Sequence, residues 1–257
     1  MQQGLSYLHL NANAYAHIFV SNDDTSSFLA LLERVRIEAR LVNDTMPTNL
    51  TAAQEHIEQL QDRLDDVIDI ENYFTVKSVQ FDNSTVNALL LANIVDEVLT
   101  HYGGAYGILP NIMLNTSYMS TGLNPDKNRN GEKMSMPNNT QNKQQYQLNN
   151  YTHNINSSMK NNNTKKIIPS NNNDFLINIA KYQTAKEYAK RAIEIFNIKL
   201  KPFETGRNAN AMNELEKGLV KLRNAIDNKV QPMEIMMIAH GKIHPSLQVA
   251  FNLKVKK

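Results

Sequence analysis

The feature that most constrains this chain is an asparagine-rich stretch in its middle. Of the 35 asparagines in the 257-residue sequence, 18 lie between Pro110 and Asn173. Few branched aliphatic side chains accompany them, so burial cannot offset the entropy of ordering the chain, about 1–2 kcal/mol per residue. We therefore predict a low-complexity insertion over 110–173, disordered or loosely draped. It separates an N-terminal half (1–109) from a C-terminal half (174–257) that packs on the first to form one domain.

Both flanking halves carry the apolar spacing of amphipathic helices, in which one face repeats every three or four residues. The predicted helices are 24–43, 51–71, 84–102, 174–200 and 210–228, followed by Pro232 to Ala239 and one or two turns from Ser246 to Leu253. Only 73–81 is a short extended candidate, which we interpret as a connector. The sequence thus predicts an all-α fold, an antiparallel bundle of five or six helices with a long Asn-rich disordered insertion.

Local residues predict where several of these helices begin and end. Thr51 and Gln54 form a capping-box pair at the start of the second helix. Asp174 is the predicted N-cap of the fourth, and the Gly103-Gly104 pair predicts the end of the third. In the first helix the predicted buried stripe consists of Phe28, Leu31, Leu32, Val35, Ala39 and Val42.

Composition narrows the functional classes. The formal net charge is only +2, so no large basic field predicts nucleic-acid binding. No apolar run approaches the ~18–20 residues that a membrane span requires. Nucleophile-elbow, phosphate-loop and dinucleotide motifs are missing, and with no cysteine there is no thiol nucleophile. These observations favour a protein that is not an enzyme.

Eight Asn-x-Ser/Thr sequons give the main indication of compartment, about twice the number that this composition produces by chance. Glycans are tolerated at such exposed asparagines in exported proteins, and the lack of cysteine is compatible with export. No complete signal peptide is visible, so we expect a trimmed chain or a start that is not the native one. The alternative is that an Asn-rich sequence produces sequons passively. The predicted glycosylation sites are Asn43, Asn49, Asn83, Asn115, Asn138, Asn150, Asn156 and Asn162.

Two histidine pairs are candidate metal ligands. His240 and His244 stand four residues apart, a spacing that places two imidazoles on one helix face. Gly241 and Pro245 argue against a continuous helix there, which favours a structural role instead. Glu97 and His101 are also four apart, although a histidine at a helix C-terminus interacts favourably with the helix dipole without any ligand. If the third and last helices pack together, these four residues would converge on one metal site.

Methionines near these histidines favour copper as the metal, because thioethers and imidazoles are soft ligands and copper leads the usual order of affinities. Met233, Met236 and Met237 precede His240. The competing interpretation is that these methionines fill gaps in the core. The carboxylates of 55–71 have the spacing of a solvated helix face, which we prefer to a catalytic pair.

Three segments carry a resemblance to a family. PMEIMMIAHGKIHPSLQVAFNL, LANIVDEVLTHYGGAYGI and YQTAKEYAKRA resemble uncharacterised helical proteins of ammonia-oxidising archaea, over both halves and with a variable polar insertion between them. The family has no assigned activity, so no catalytic residue is carried over. The resemblance implies an extracytoplasmic location and a copper-dependent physiology. The insertion here contains only His153, which argues against a copper site within it.

Three functions follow as hypotheses. The first is a non-enzymatic, N-glycosylated binding or interaction module of the cell envelope, whose partners would be other cell-envelope proteins. The second is an extracytoplasmic copper-binding protein that uses His240, His244, His101 and Glu97. The third is a metal-dependent bundle enzyme with the metal in the same place.

Overall fold

A computed structural model describes residue 19 and residues 25–71, 83–115, 176–206 and 208–255. Within these ranges the fold is an all-α bundle, as predicted from the sequence. Four predicted glycosylation sites, the extended candidate 73–81 and most of the predicted insertion lie outside the described residues. The helices are α1 (Thr25–Thr45), α2 (Leu50–Glu71), α3 (Ser84–Ala105), α4 (Pro110–Met113), α5 (Ile179–Ile195), α6 (Ala209–Asp227), α7 (Pro232–Ile238) and α8 (His244–Phe251).

Helices α1 and α2 form a hairpin, because only a short turn separates Thr45 from Leu50. The start of α2 is set by Asn49, whose Oδ1 accepts a hydrogen bond of 3.0 Å from the backbone N–H of Ala52. The predicted cap at Thr51 is therefore wrong by two residues. Asparagine satisfies an otherwise unpaired N–H at this position as well as threonine does.

The α1 face that packs against the bundle differs from the predicted stripe. Leu32 is 41% exposed and Ala39 is exposed, whereas Arg34 and Glu38 are each only 1% exposed. The prediction failed because it assigned charged side chains to the solvent. Here each finds a partner on another helix, which sequence spacing within α1 cannot reveal.

Helix α3 is the central helix of the bundle, with 18 of its 22 residues buried. It contacts α1, α5 and the C-terminal helices. Because a helix surrounded in this way buries every face, it needs apolar residues all around it. The helix does not end at Gly103-Gly104 as predicted. It continues to Ala105, and Gly103 instead provides room for the Met113 side chain, which a Cβ at that position would strike.

Residues before and after the predicted insertion meet directly. The backbone N–H of Ile177 donates to the carbonyl of Ala105 over 2.9 Å. Helix α5 then begins at Ile179 and is capped by Asn178, whose Oδ1 accepts from the N–H of Lys181 over 2.8 Å. The predicted cap, Asp174, lies outside the described residues.

Residue contacts divide the chain into two units. The first comprises Met1–Leu114 with Phe175–Lys257, and the second Asn115–Asp174. Helix α4 therefore belongs to the first unit, although its residues begin the predicted insertion at 110. Its Ile112 and Met113 are buried, which gives this short helix an apolar anchor in the bundle.

Two prolines are accommodated by π-helical turns. The turns span Phe196–Leu200 and Ala239–Ile243, and each ends shortly before a proline, Pro202 and Pro245. A proline lacks an N–H and its ring clashes with the carbonyl four residues earlier, which a wider turn relieves. Helical structure thus runs without interruption from Pro232 to Phe251, contrary to the expectation that Gly241 and Pro245 would break it. Within the described ranges, no helix has the length and apolarity to cross a membrane.

Candidate metal centre

Helix α3 carries polar side chains into the middle of the bundle. Asn87, Asn93, Asp96, Glu97 and His101 are all buried on it. Because Asp96 and Glu97 are consecutive, they leave the helix in different directions. Asp96 reaches His244 on α8, whereas Glu97 reaches Arg34 on α1.

The first site is the pair formed by His240 and His244, which we call the His pair. Their Nδ1 atoms lie 3.2 Å apart, and their ring centroids are separated by 5.1 Å. The π-turn Ala239–Ile243 supplies His240, and α8 begins with His244. His240 and His244 are 8% and 3% exposed respectively, so the pair is removed from bulk water.

The outer nitrogen of each ring faces an acceptor. His240 Nε2 lies 3.0 Å from the carbonyl oxygen of Met113, and His244 Nε2 lies 3.4 Å from a carboxylate oxygen of Asp96. The Met113 carbonyl oxygen only accepts hydrogen bonds, so the proton of a neutral His240 is assigned to Nε2 and its Nδ1 carries a lone pair. The two Nδ1 atoms, 3.2 Å apart, share a hydrogen bond when His244 carries its proton on Nδ1, and present two facing lone pairs when His244 carries it on Nε2. In the second tautomer, a cation shared by the two nitrogens would relieve their repulsion.

The second site is an ion-paired cluster of Arg34, Glu97, His101 and Tyr188. The guanidinium of Arg34 lies 3.0 Å from Glu97 Oε1, and His101 Nε2 lies 3.4 Å from Glu97 Oε2. The His101 ring stacks on Tyr188, with 5.4 Å between centroids and an interplanar angle of 28°. Opposite charges therefore meet in the interior with no mutual repulsion to relieve.

Electrostatics in this cluster fix Glu97 as an anion. Burial on its own would raise the pKa of Glu97, but the charge of Arg34 and the hydrogen bond from His101 outweigh it and lower that pKa to about 2. Burial, assisted by the Glu97 carboxylate, raises the pKa of the Tyr188 hydroxyl well above its ordinary value. Tyr188 is accordingly a neutral phenol beside a fixed ion pair.

The four residues predicted as metal ligands fall into two pairs. His240 lies with His244, and Glu97 lies with His101, in the two sites described above. Within the described ranges, no group of three or more His, Asp or Glu side chains is arranged to hold a metal ion. The structure therefore brings together the two C-terminal imidazoles but does not assemble all four side chains into one site.

Sequence reasoning missed several residues of these sites. Arg34 and Asp96 were not singled out, nor was the fully buried pair of Glu38 and His56, whose Oε2 and Nδ1 atoms lie 2.9 Å apart. The available indication was the placement of Asp96 and Glu97 within a helix whose other residues are mostly apolar. Charged residues in such a helix are buried only when they have partners.

Four predicted glycosylation sites lie in the described residues. Asn43 and Asn83 are exposed, whereas Asn49 and Asn115 are partly buried. Asn83 also caps α3, since its Oδ1 accepts from the N–H of Thr85 over 2.8 Å. Asn43 and Asn83 are therefore the two predicted sites, among those that the structure describes, whose residues are exposed at the protein surface.

Comparison of the chain with models of protein families, with curated proteins and with solved structures finds no match.

Proposed function

We propose that this protein is a non-enzymatic binding module of the cell envelope that holds one copper ion between His240 and His244. The observation that carries this proposal is the 3.2 Å separation of the two Nδ1 atoms, with both Nε2 atoms already facing acceptors. Histidines that bind metals characteristically donate their other N–H to a carboxylate or a backbone carbonyl, which fixes the tautomer and the ring orientation. The Met113 carbonyl lies at hydrogen-bond distance from His240 Nε2, and the Asp96 carboxylate lies 3.4 Å from His244 Nε2.

The separation of the two nitrogens suits a metal ion. With metal–nitrogen bonds of about 2.0–2.1 Å, a nitrogen separation of 3.2 Å corresponds to an angle of roughly 105° at the metal, close to tetrahedral. Further positions on the ion are then left to ligands other than these two rings. The His pair therefore provides a chelating bite without rearrangement of the helix.

Charge favours copper in its cuprous form. Asp96 is 2% exposed, and its carboxylate lies 3.4 Å from His244. A monovalent ion carries less charge into this poorly solvated interior than a divalent ion does, and burial of charge is costly. Imidazole is a common copper ligand. Burial of the rings also suits retention of an ion better than turnover of a substrate.

Competition titration with a chromophoric Cu⁺ chelator tests this proposal. The wild-type protein is expected to withdraw one equivalent of Cu⁺ from the chelator. His240→Ala or His244→Ala is expected to weaken Cu⁺ binding by more than about tenfold, because a single imidazole remains. His101→Gln is the matched control, since it changes a buried histidine outside the His pair. Affinity is expected to fall as the pH is lowered, because protons compete for the same nitrogens.

A flat titration would contradict the proposal, because the facing nitrogens would then share only a proton. Equal losses in His101→Gln and His244→Ala would contradict it as well, since they would place the ligands elsewhere.

The cell-envelope location is supported by the exposure of Asn43 and Asn83, two of the sequons that an exported protein would present. Intact mass spectrometry of native material is expected to show heterogeneous mass above that of the polypeptide. A single sharp peak at the bare mass would contradict this part of the proposal.

A further inference from the structure

The second half of α2 carries apolar side chains that are exposed to solvent. Near its start, Ala52, Ala53 and His56 are buried, and α2 packs chiefly on α1. Beyond His56, no side chain that the structure describes in this helix is buried. Leu64 is 43% exposed and Ile68 is 59% exposed. The packing of α2 is therefore strong at one end and open at the other.

Four apolar residues and two glutamines form a regular stripe along α2 with no charge in it. Leu50, Ile57 and Leu64 are spaced by seven residues, and Gln54, Gln61 and Ile68 each follow one of them by one helical turn. We call these six residues the α2 stripe. At 1.5 Å per residue the stripe is about 27 Å long. Heptad spacing of this kind is how one helix docks along another.

Carboxylates border the α2 stripe on its solvent side. Glu58 and Asp65 occupy the next row around the helix, with Asp62 and Asp69 behind them. Over its whole length α2 carries seven carboxylates and one guanidinium, an excess of six negative charges. The guanidinium, Arg63, lies 3.2 Å from Asp66, and neither residue belongs to the border.

We propose that the α2 stripe is a docking surface for an amphipathic helix whose apolar face is bordered by lysine or arginine. Such a partner covers Leu64 and Ile68 while its cations meet Glu58 and Asp65. A second copy of this chain is the less suitable occupant, because it would bring two strongly acidic helices together, and like charges across an interface are costly. This surface is independent of the His pair, which lies in the C-terminal run of the chain.

Fluorescence anisotropy with designed peptides tests this proposal on the full-length protein. The probe is a labelled peptide of about three heptads with leucine at a and d and lysine at e and g. One control peptide carries glutamate in place of lysine, and a second has the same composition in scrambled order. We expect the lysine peptide to bind and the other two to bind at least about tenfold more weakly.

Variants of the protein distinguish docking on the α2 stripe from nonspecific attraction of a basic peptide to an acidic surface. Leu64→Gln/Ile68→Gln is expected to weaken binding by at least about tenfold, and Glu58→Gln/Asp65→Asn by severalfold in a way that disappears near 1 M salt, where charges are screened. Val249→Gln is the matched control, because Val249 is 72% exposed on α8 and lies outside the stripe. Circular dichroism and thermal unfolding verify that each variant is folded.

The proposal is overturned if the lysine peptide does not bind, or if it binds the Leu64→Gln/Ile68→Gln variant as tightly as the wild type. It is also overturned if sedimentation shows a dimer that this variant dissociates, because a second copy would then occupy the stripe.

Discussion

The two polar sites that leave α3 differ in how their charges are balanced. In the ion-paired cluster, Glu97 meets Arg34 at 3.0 Å and His101 at 3.4 Å, so each charge is matched within the folded chain. In the His pair, two nitrogens of the same kind face each other at 3.2 Å, and we propose that a cation lies between them. The comparison shows that buried histidines of one bundle can belong to sites whose charges are balanced in different ways. One of these sites holds helices together within the fold, and the proposed role of the other is to receive an ion.

Removal of one partner from the ion-paired cluster is expected to have the largest effect on stability. Arg34→Met leaves the Glu97 carboxylate buried without its main counter-charge, which should lower the free energy of unfolding by about 3–5 kcal/mol. Urea denaturation measures the change. The double variant Arg34→Met/Glu97→Gln should regain part of the loss, because it removes the isolated charge. A loss below about 1 kcal/mol in the single variant would show that the two sites do not differ as described.

Low pH should remove the contribution that the ion-paired cluster makes to the stability of the fold. The pKa of Glu97 is lowered from 4.5 to about 2 in the folded state, so its contribution is fully present above pH 4.5 and is lost as the pH falls toward 2. The shift corresponds to about 3 kcal/mol of stability. Denaturation curves across this window should show that loss in the wild type and not in Glu97→Gln. Parallel pH profiles for the two proteins would contradict the assignment.

A smaller effect on stability is expected from Gly103→Ala, a substitution that tests whether packing against α3 positions the His pair. A methyl group at Gly103 would strike the Met113 side chain, and the Met113 carbonyl accepts from His240. Gly103→Ala should therefore cost about 1–3 kcal/mol of stability and weaken Cu⁺ binding. Gly206→Ala is the control, since no atom lies within 4 Å of its added methyl, and it should change stability by less than about 0.5 kcal/mol. Unaltered Cu⁺ affinity in Gly103→Ala would mean that Met113 does not position His240.

The sequence predicted what depends on local spacing. Apolar periodicity placed α6 within one residue of its observed bounds of Ala209–Asp227. It also identified His240 and His244 as candidates, because residues four apart on a helix lie on one face. Local patterns were sufficient in both cases.

The sequence could not predict features whose cause is a distant residue. Burial of Arg34 depends on Glu97, and the orientation of His244 depends on Asp96, each on another helix. The helix across Gly241 and Pro245 was expected to break, because the π-turn that accommodates the proline leaves no mark in the apolar pattern. Convergence of all four predicted ligands required a side-chain geometry that spacing along single helices does not contain.

X-ray absorption at the copper edge tests the central claim most directly, because it counts the imidazoles bound to the metal. The Cu⁺-loaded wild-type protein should show two imidazole nitrogens at about 2 Å. The double variant His240→Ala/His244→Ala should show neither, and His101→Gln should retain both. An unchanged imidazole count in the double variant, or its loss in His101→Gln, would contradict the assignment of the His pair as the metal site.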